Sequence, residues 1–521
     1  MVLGACARPA PAPAPSAPVA AAPLRLPTTR ELQRDLFAFA DDSFRGRSAT
    51  TIDAVRAAAF LAARLKLIGV EPAGDSGYFQ RVPLQRQEVG PLTRFAVTTE
   101  HGTVDLPLGK AIAPLPVLSE DLPLPRLAAE GDVVFAGYAL NDPAMHRDDL
   151  AHLDLAGKTV VFLVGAPPSA DPALRASLER PEALGRRLAT IADRRPAAII
   201  AAFAGVNSTQ VQALADELDD ASVTLASGSP DSARSLPMVL FAVARPGSPL
   251  LPPGWPRDDR PQALRDHRFR GRLDLVVAPV PAYNIVGVVR GRDPAFAQSY
   301  VALGAHLDHI GVQSGVSGDS IANGADDDGS GSVALLAIAR SLQTMAVRPR
   351  RSTLFVWHTA EELGLYGSAW FTSHPTVPID SIVAQLNADM IGRNGPDSLY
   401  LVGPAAAPNG QSSVLGAIVD SVNASLPRPF TINREWDSPS HPEQIYYRSD
   451  HYNYARHGIP IVFFTSGLHP QYHRVTDEAP LIDFDKLARV ATFLLESDIA
   501  VANRTTRPLP SERQRQASPT P

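Results

Sequence analysis

Tyr300-Val301-Ala302-Leu303-Gly304-Ala305 is an unbroken apolar run that ends abruptly in His306-Leu307-Asp308-His309. A run of strand length without polar alternation fits a strand covered on both faces, as in a parallel sheet between helices. The same pattern recurs downstream. Thr353 to Trp357 runs into His358-Thr359-Ala360-Glu361-Glu362, and Ile382 to Asn387 runs into Ala388-Asp389. Pro460 to Thr465 is followed, after a short loop, by Tyr472-His473. Helical stretches at Ser332 to Leu342 and Phe484 to Leu495 alternate with these strands, which predicts an α/β fold with a mixed, mostly parallel sheet flanked by helices. Ligands of such sheets bind just beyond the carboxyl ends of the strands. His and carboxylate groups therefore gather on one rim.

Upstream, Thr29 to Leu67 has helical spacing, with Ile52, Val55, Ala58, Ala59, Ala62, Leu65 and Ile68 expected on one face and Gly69 as the C-cap. Between residues 130 and 272 the texture changes to short β-like runs, such as Val133-Val134-Phe135 and Thr159 to Val164, between turn residues. We therefore divide the chain into a leader (1–29), a catalytic domain (30–129 and 273–503), a β-rich insert (130–272) and a disordered tail (504–521). Val2-Leu3-Gly4-Ala5-Cys6 has the form of a bacterial lipobox, and the Pro- and Ala-rich stretch to Pro27 suits a tether. This predicts an extracytoplasmic protein in a bacterium, with a possible lipid anchor through Cys6.

Composition narrows the function. The 521 residues are 45% hydrophobic and 20% charged, with one Cys and a net charge of -6. A lone Cys excludes an internal disulfide framework, and the acidic balance argues against nucleic acid as a partner. No run of 18 apolar residues occurs.

The rim itself points to metal chemistry. Between the first two strand ends lies Asn323-Gly324-Ala325-Asp326-Asp327-Asp328-Gly329-Ser330-Gly331, leading into the helix near Ser332. Several ionised carboxylates in one place raise one another's pKa and destabilise the site, a cost that divalent cations remove. Imidazole and carboxylate ligands without thiolate suit zinc or a related first-row metal better than calcium or magnesium. The number of such groups fits two ions, which need a bridging carboxylate when about 3.5 to 4 Å apart. Each group alone has an ordinary explanation as a helix cap, a solvated pair or a core histidine; their coincidence at strand ends of one sheet does not.

Taken together, the segments Gly304 to His309, Asn323 to Gly331, Ala360-Glu361-Glu362-Leu363-Gly364-Leu365-Tyr366-Gly367-Ser368, Asn387 to Gly392, Arg448-Ser449-Asp450-His451 and Tyr472-His473 resemble the zinc peptidases of family M28 in order and spacing. The resemblance implies a zinc-exopeptidase fold and two zinc ions per chain. His306 and Asp389 would complete one metal site, Glu362 and His473 the other, with Asp327 bridging. Asp308 would hydrogen-bond His306 and fix its tautomer, Glu361 would be the general base and Tyr472 the oxyanion donor, with Arg448 contacting substrate. One departure is Asp328, where the family often has Asn. The insert resembles a protease-associated (PA) domain through Gly131 to Tyr138 and Asp154 to Lys158, and such a module would either restrict access to short peptides or serve a structural or partner-binding role.

The implied reaction is hydrolysis of a terminal peptide bond, with an aminopeptidase expected ahead of a carboxypeptidase or dipeptidase. A non-catalytic receptor-like relative would have lost ligands, and a glutaminyl-cyclase-like relative would run on one zinc. Gly74-Asp75-Ser76-Gly77 resembles a serine-protease signature but lacks a matching framework and reads as a turn. No His-Glu-x-x-His helix occurs.

Overall fold

Alternate residues of the Tyr300–His306 strand enter two different cores. Val301, Leu303 and Ala305 pack in one buried cluster, Tyr300 and Ala302 in another. The strand is thus covered on both faces, as its unbroken apolar run requires. The computed structural model describes residues 24–114, 128–142, 147–204, 222–226, 237–313, 318–403, 413–438 and 440–508. The lipobox-like motif around Cys6 and most of the 504–521 tail lie outside these residues.

Two compact units divide the chain: Met1–Val82 with Ala282–Pro521, and Pro83–Pro281. In the first, strands β1 (Leu275–Val289, of which 282–289 lie in this unit), β2 (Tyr300–His306), β3 (Ser352–His358), β4 (Ile382–Ala388), β5 (Ser398–Val402), β6 (Thr431–Asn433) and β7 (Ile461–Thr465) neighbour one another in the order β1, β3, β2, β4, β7, β5, β6. Strand β2 is parallel to β3 and β4, and β4 to β7; β1 and β5 run antiparallel to β3 and β7. His306 is level with His358, and Gly304 with Asn387. The polar residues that follow these strands therefore emerge together. The chain moves from β2 to β3 on one side and to β4 on the other, so the end of β2 is a topological switch point.

Helices α1 (Thr29–Phe39), α2 (Ile52–Ile68), α3 (Gly331–Gln343) and α7 (Phe484–Ala502) contribute Leu36, Leu61, Leu335 and Leu494 to the cluster that holds Val301 and Leu303. The opposite face is covered by Phe371 of α4 (Tyr366–Ser373) and Tyr454 of α6 (His451–Arg456), while α5 (Ser413–Ser425) adds Leu415 and Val419 to the first cluster. Thr28 caps α1 in a reciprocal capping box with Glu31. Gly69 ends α2 at φ 84°, a left-handed conformation that favours glycine. The buried stripe of α2 is Ala54, Ala57, Ala58, Leu61, Ala62 and Leu65, whereas Ile52 is 61% exposed. The face expected from the sequence is rotated because Ile52 opens the helix directly after its cap Thr51, on the solvent side.

The second unit begins at Pro83 and not at 130. Arg94–Thr99 pairs with Gln262–Arg272, and Ile112–Pro114 with Met238–Ala244, so these early strands belong to the later sheet. Among the described residues, its strands are joined by helices that include Pro172–Leu178 and Pro181–Ala192. Four central strands, Ala128–Phe135, Thr159–Val164, Ala198–Ala204 and Met238–Ala244, are parallel neighbours.

Candidate metal centre

Each strand end turns sharply to present its side chains. Ala360 after β3, Met390 after β4 and His473 in the loop beyond β7 each have φ 55°, conformations that cost about 1–3 kcal/mol and persist only when the surroundings fix them. The His306 main-chain N–H donates to Asp328 Oδ2 at 3.0 Å, and its Nδ1 faces the Asp308 carbonyl oxygen at 3.1 Å, leaving Nε2 to face the rim. Gly324 opens the acidic loop at φ 57°, and a Cβ there would collide with the His309 ring and the Asp327 carbonyl. Arg47 lies buried beneath two of these loops. It donates to the carbonyl oxygens of Leu307 at 3.0 Å, Asn323 at 2.6 Å and Gly324 at 2.9 Å.

Asp327 stands between two groups. Its Oδ1 lies 3.2 Å from His306 Nε2, which is 3.5 Å from Asp389 Oδ1. Its Oδ2 lies 3.3 Å from His473 Nε2, which is 2.9 Å from Glu362 Oε2. Ligands of one tetrahedral zinc, at about 2.0–2.1 Å from the ion, are about 3.3 Å apart. His306 Nε2, Asp327 Oδ2, Asp389 Oδ1 and His473 Nε2 are buried without a hydrogen-bond partner. Native interiors rarely leave so many polar atoms unsatisfied, and their convergence fits divalent cations. Two triads have the reach to hold an ion, His306 with Asp327 and Asp389, and His309 with Asp327 and Glu362.

Electrostatics point the same way. Burial, reinforced by the Glu362 and Asp389 charges, holds the Glu361 carboxyl well above its ordinary range. Burial pushes Asp308 up to about 7 and raises Asp328, the latter with help from Asp389. Burial alone would lower the imidazoles, yet Asp327 and Glu362 bring His473 up to about 10, and Glu361 and Asp389 raise His306. Excess negative charge thus draws protons onto these rings, and cations would take their place.

Comparison with known proteins places this constellation in a family. The description of peptidase family M28 matches residues 284–497, which carry β2, β3, β4, β7 and every residue of the two groups above. Residues 284–497 form a peptidase family M28 domain. A probable leucine aminopeptidase 1 of Trichophyton verrucosum is 30% identical over 224 residues, 41% of this chain and 56% of that protein. A probable leucine aminopeptidase 2 of Aspergillus oryzae is 32% identical over 180 residues, 34% of this chain and 32% of that one. The chain thus spans about half the length, or less, of these relatives. The aminopeptidase from Aneurinibacillus sp. strain AM-1 shares the fold, with a TM-score of 0.51 at 17% identity over 93% of this chain and 96% of its own.

Within the M28 domain, the residues expected at the site come together. His306, Asp327 and Asp389 meet on one side, and Glu362 and His473 on the other, with Glu361 Oε2 3.9 Å from His306 Nε2. Tyr472 stacks on His473 with centroids 3.9 Å apart, and Arg448 Nη2 donates to its hydroxyl oxygen at 3.3 Å. Asp308 acts differently from expectation. Its main-chain carbonyl faces His306 Nδ1, while the carboxylate stands 4.0 Å from that nitrogen and accepts the Glu361 N–H at 3.2 Å. Asp328 is more than an added charge, since it accepts main-chain N–H bonds from His306 and Gly331 and so ties β2 to the start of α3.

Four residues of the M28 domain and its surroundings escaped the sequence reading. His309 Nδ1 lies 2.6 Å from Glu362 Oε1, and Ser449 Oγ donates to Asp389 Oδ2 at 2.8 Å. Asp477 Oδ2 accepts the N–H groups of Asp326 and Asp327 at 3.0 and 3.1 Å. Arg47 is the fourth. His309 and Ser449 lie inside the quoted motifs, so their polarity beside ligands was a usable signal; Asp477 and Arg47 carried none.

Proposed function

We propose that the chain is an aminopeptidase that removes amino-terminal residues from short peptides, with two zinc ions held by His306, Asp389, Glu362 and His473 and shared through Asp327. The observation that carries this reading is the division of the Asp327 oxygens, Oδ1 toward His306 and Oδ2 toward His473. Zinc bound there supplies Lewis-acid polarisation of the scissile carbonyl and a water of lowered pKa. The names of the matched relatives, leucine aminopeptidases, support the amino-terminal direction.

The chain's own residues do the rest. Glu361 is a buried carboxylate whose affinity for a proton is raised, so it can take the proton of the attacking water and return it to the leaving amine. Arg448 can only donate, so its bond to the Tyr472 oxygen leaves the phenol proton free for the developing oxyanion. Burial, together with the Asp327 and Glu362 charges, raises the phenol pKa and keeps that proton in place.

The PA-like reading of the second unit rests on Gly131 to Tyr138, on and after the strand Ala128–Phe135, and on Asp154 to Lys158, in the turn before Thr159–Val164. No described helix is long and apolar enough to cross a membrane. An extracytoplasmic place for the chain rests on the Cys6 motif, and a lipid-modified amino-terminal Cys in the mass spectrum of native material is its expected signature.

The deciding experiment compares purified protein before and after chelation, and after return of zinc, on aminoacyl substrates and their N-blocked counterparts. Zinc-dependent cleavage of the free-amine substrates alone is expected, with about two zinc ions per chain. Release of residues from the carboxyl end would reassign the chain as a carboxypeptidase, and one zinc per chain with cyclase activity would reassign it to the glutaminyl-cyclase-like class.

A further inference from the structure

His309, Asp327 and Glu362 form a triad that composition alone would read as a ligand set. The distances within it say otherwise. His309 Nδ1 is 2.6 Å from Glu362 Oε1 and 3.8 Å from Asp327 Oδ2. Two atoms bound to one tetrahedral zinc are about 3.3 Å apart, the separation found between His473 and Asp327 and closely approached between His306 and Asp327. A spacing of 2.6 Å is too short for two such ligands and suits a charge-assisted hydrogen bond.

The His473 to Glu362 distance, 2.9 Å, is also short, but the two rings differ in freedom. The His473 side chain is 37% exposed and can withdraw by the required ~0.4 Å. The His309 side chain is fully buried, with its ring where a Cβ on Gly324 would collide, and edge-on to His473 at 5.8 Å between centroids. It is the more confined of the two rings.

We infer that His309 is a positioning residue for Glu362, on the reading of a two-zinc centre given above. A carboxylate has no proton to give, so Nδ1–H donates to Oε1. That bond occupies one oxygen of Glu362 and presents the other, Oε2, on the side of His473. It also ties the segment after β2 to the segment after β3, so the ligand is held before any ion arrives. Such outer partners of metal ligands typically contribute 10- to 100-fold to metal affinity.

The test uses the full chain, stripped of metal and titrated with zinc alone against a competing chelator. His309→Leu removes the donor and is expected to weaken one of the two zinc equivalents 10- to 100-fold. His309→Asn keeps an N–H one bond beyond Cγ, where Nδ1 stands, and is expected to bind both equivalents within about threefold of wild type. In the cobalt-loaded protein, the visible spectrum of His309→Asn should match wild type, because no ligand has changed. Equal weakening in both variants, or a changed cobalt spectrum in His309→Asn, would make His309 a ligand and overturn the proposal. Wild-type affinity in His309→Leu would overturn it too. If His309→Leu does not fold, His309→Asn still decides. A wild-type chain that takes up no zinc sinks the two-zinc reading itself, whereas two equivalents bound alike by all three proteins sink only the role of His309.

Discussion

The two ends of β2 and β3 bury polar groups in opposite ways. At the amino ends, neighbours inside the protein satisfy most of them. Ser352 Oγ donates to the Ala297 carbonyl at 2.7 Å and accepts the Gly291 N–H at 3.0 Å, Tyr300 donates to Gln298 at 2.7 Å, and Thr353 donates to Asp498 at 2.8 Å. Burial pushes the Asp498 carboxyl up to about 7, opposed only by its bond from Thr353, so its protonated form is favoured below that pH. At the carboxyl ends, Glu361, Glu362, Asp327 and Asp389 crowd around His306 and His473 with several lone pairs unpaired. One end solves burial by protonation and hydrogen bonding. The other leaves several lone pairs without partners, and that difference singles out the candidate site.

The comparison breaks most visibly at Glu361. Glu361→Gln removes the proposed base but no proposed ligand, so zinc content should hold at the wild-type level while kcat falls by about 10^2 to 10^4. Glu362→Gln, one residue on, should lose zinc as well as turnover. Measuring kcat and metal content on both proteins separates the roles, and near-normal kcat in Glu361→Gln would remove it as the base.

At the amino ends the sensitive probe is stability against pH. The folded-state pKa of Asp498, about 7, lies above the unfolded value near 3.9, so between about pH 4 and 7 the folded chain holds a proton that the unfolded chain has released. Stability must therefore fall as pH rises through that window and level off above it. About three pKa units correspond to at most ~4 kcal/mol. Asp498→Asn cannot ionise, so its denaturation midpoint should exceed wild type at pH 8 and approach it at pH 4. A constant difference at both pH values would contradict this.

The amino-acid order announced the rim more clearly than its supports. His306, Asp389 and Glu362 were legible because each follows an apolar run whose length fixes where the strand stops. The second unit's start was not legible, because Arg94–Thr99 finds its partner in Gln262–Arg272, more than 160 residues away, and no local pattern encodes that pairing. The α2 face was misjudged because an alanine-rich helix offers little contrast between its sides. Asp308 lies beside His306, as their spacing implies, yet which of its oxygens faces the ring depends on a turn of the main chain. Arg47 and Asp477 act on backbone groups far away in sequence, and such contacts exist only once the loops have met.

Asp477 therefore offers the finest cut between the two ends. It lies four residues after His473, and its Oδ2 takes the N–H groups of Asp326 and Asp327 while its carbonyl takes that of Ala325. The loop of one proposed ligand is thus fastened to the loop of the bridging one. Asp477→Ala strands two buried N–H groups beside the bridge, and we expect zinc affinity to drop about tenfold, or ~1.4 kcal/mol. Asp477→Asn retains a carbonyl oxygen able to accept both bonds, so its affinity should stay within about threefold of wild type. If Asn proves as damaging as Ala, the acid contributes through its charge and not through the geometry of its oxygen. If neither moves zinc binding, the two loops hold their places without it, through the strands that carry them and contacts such as those of Arg47.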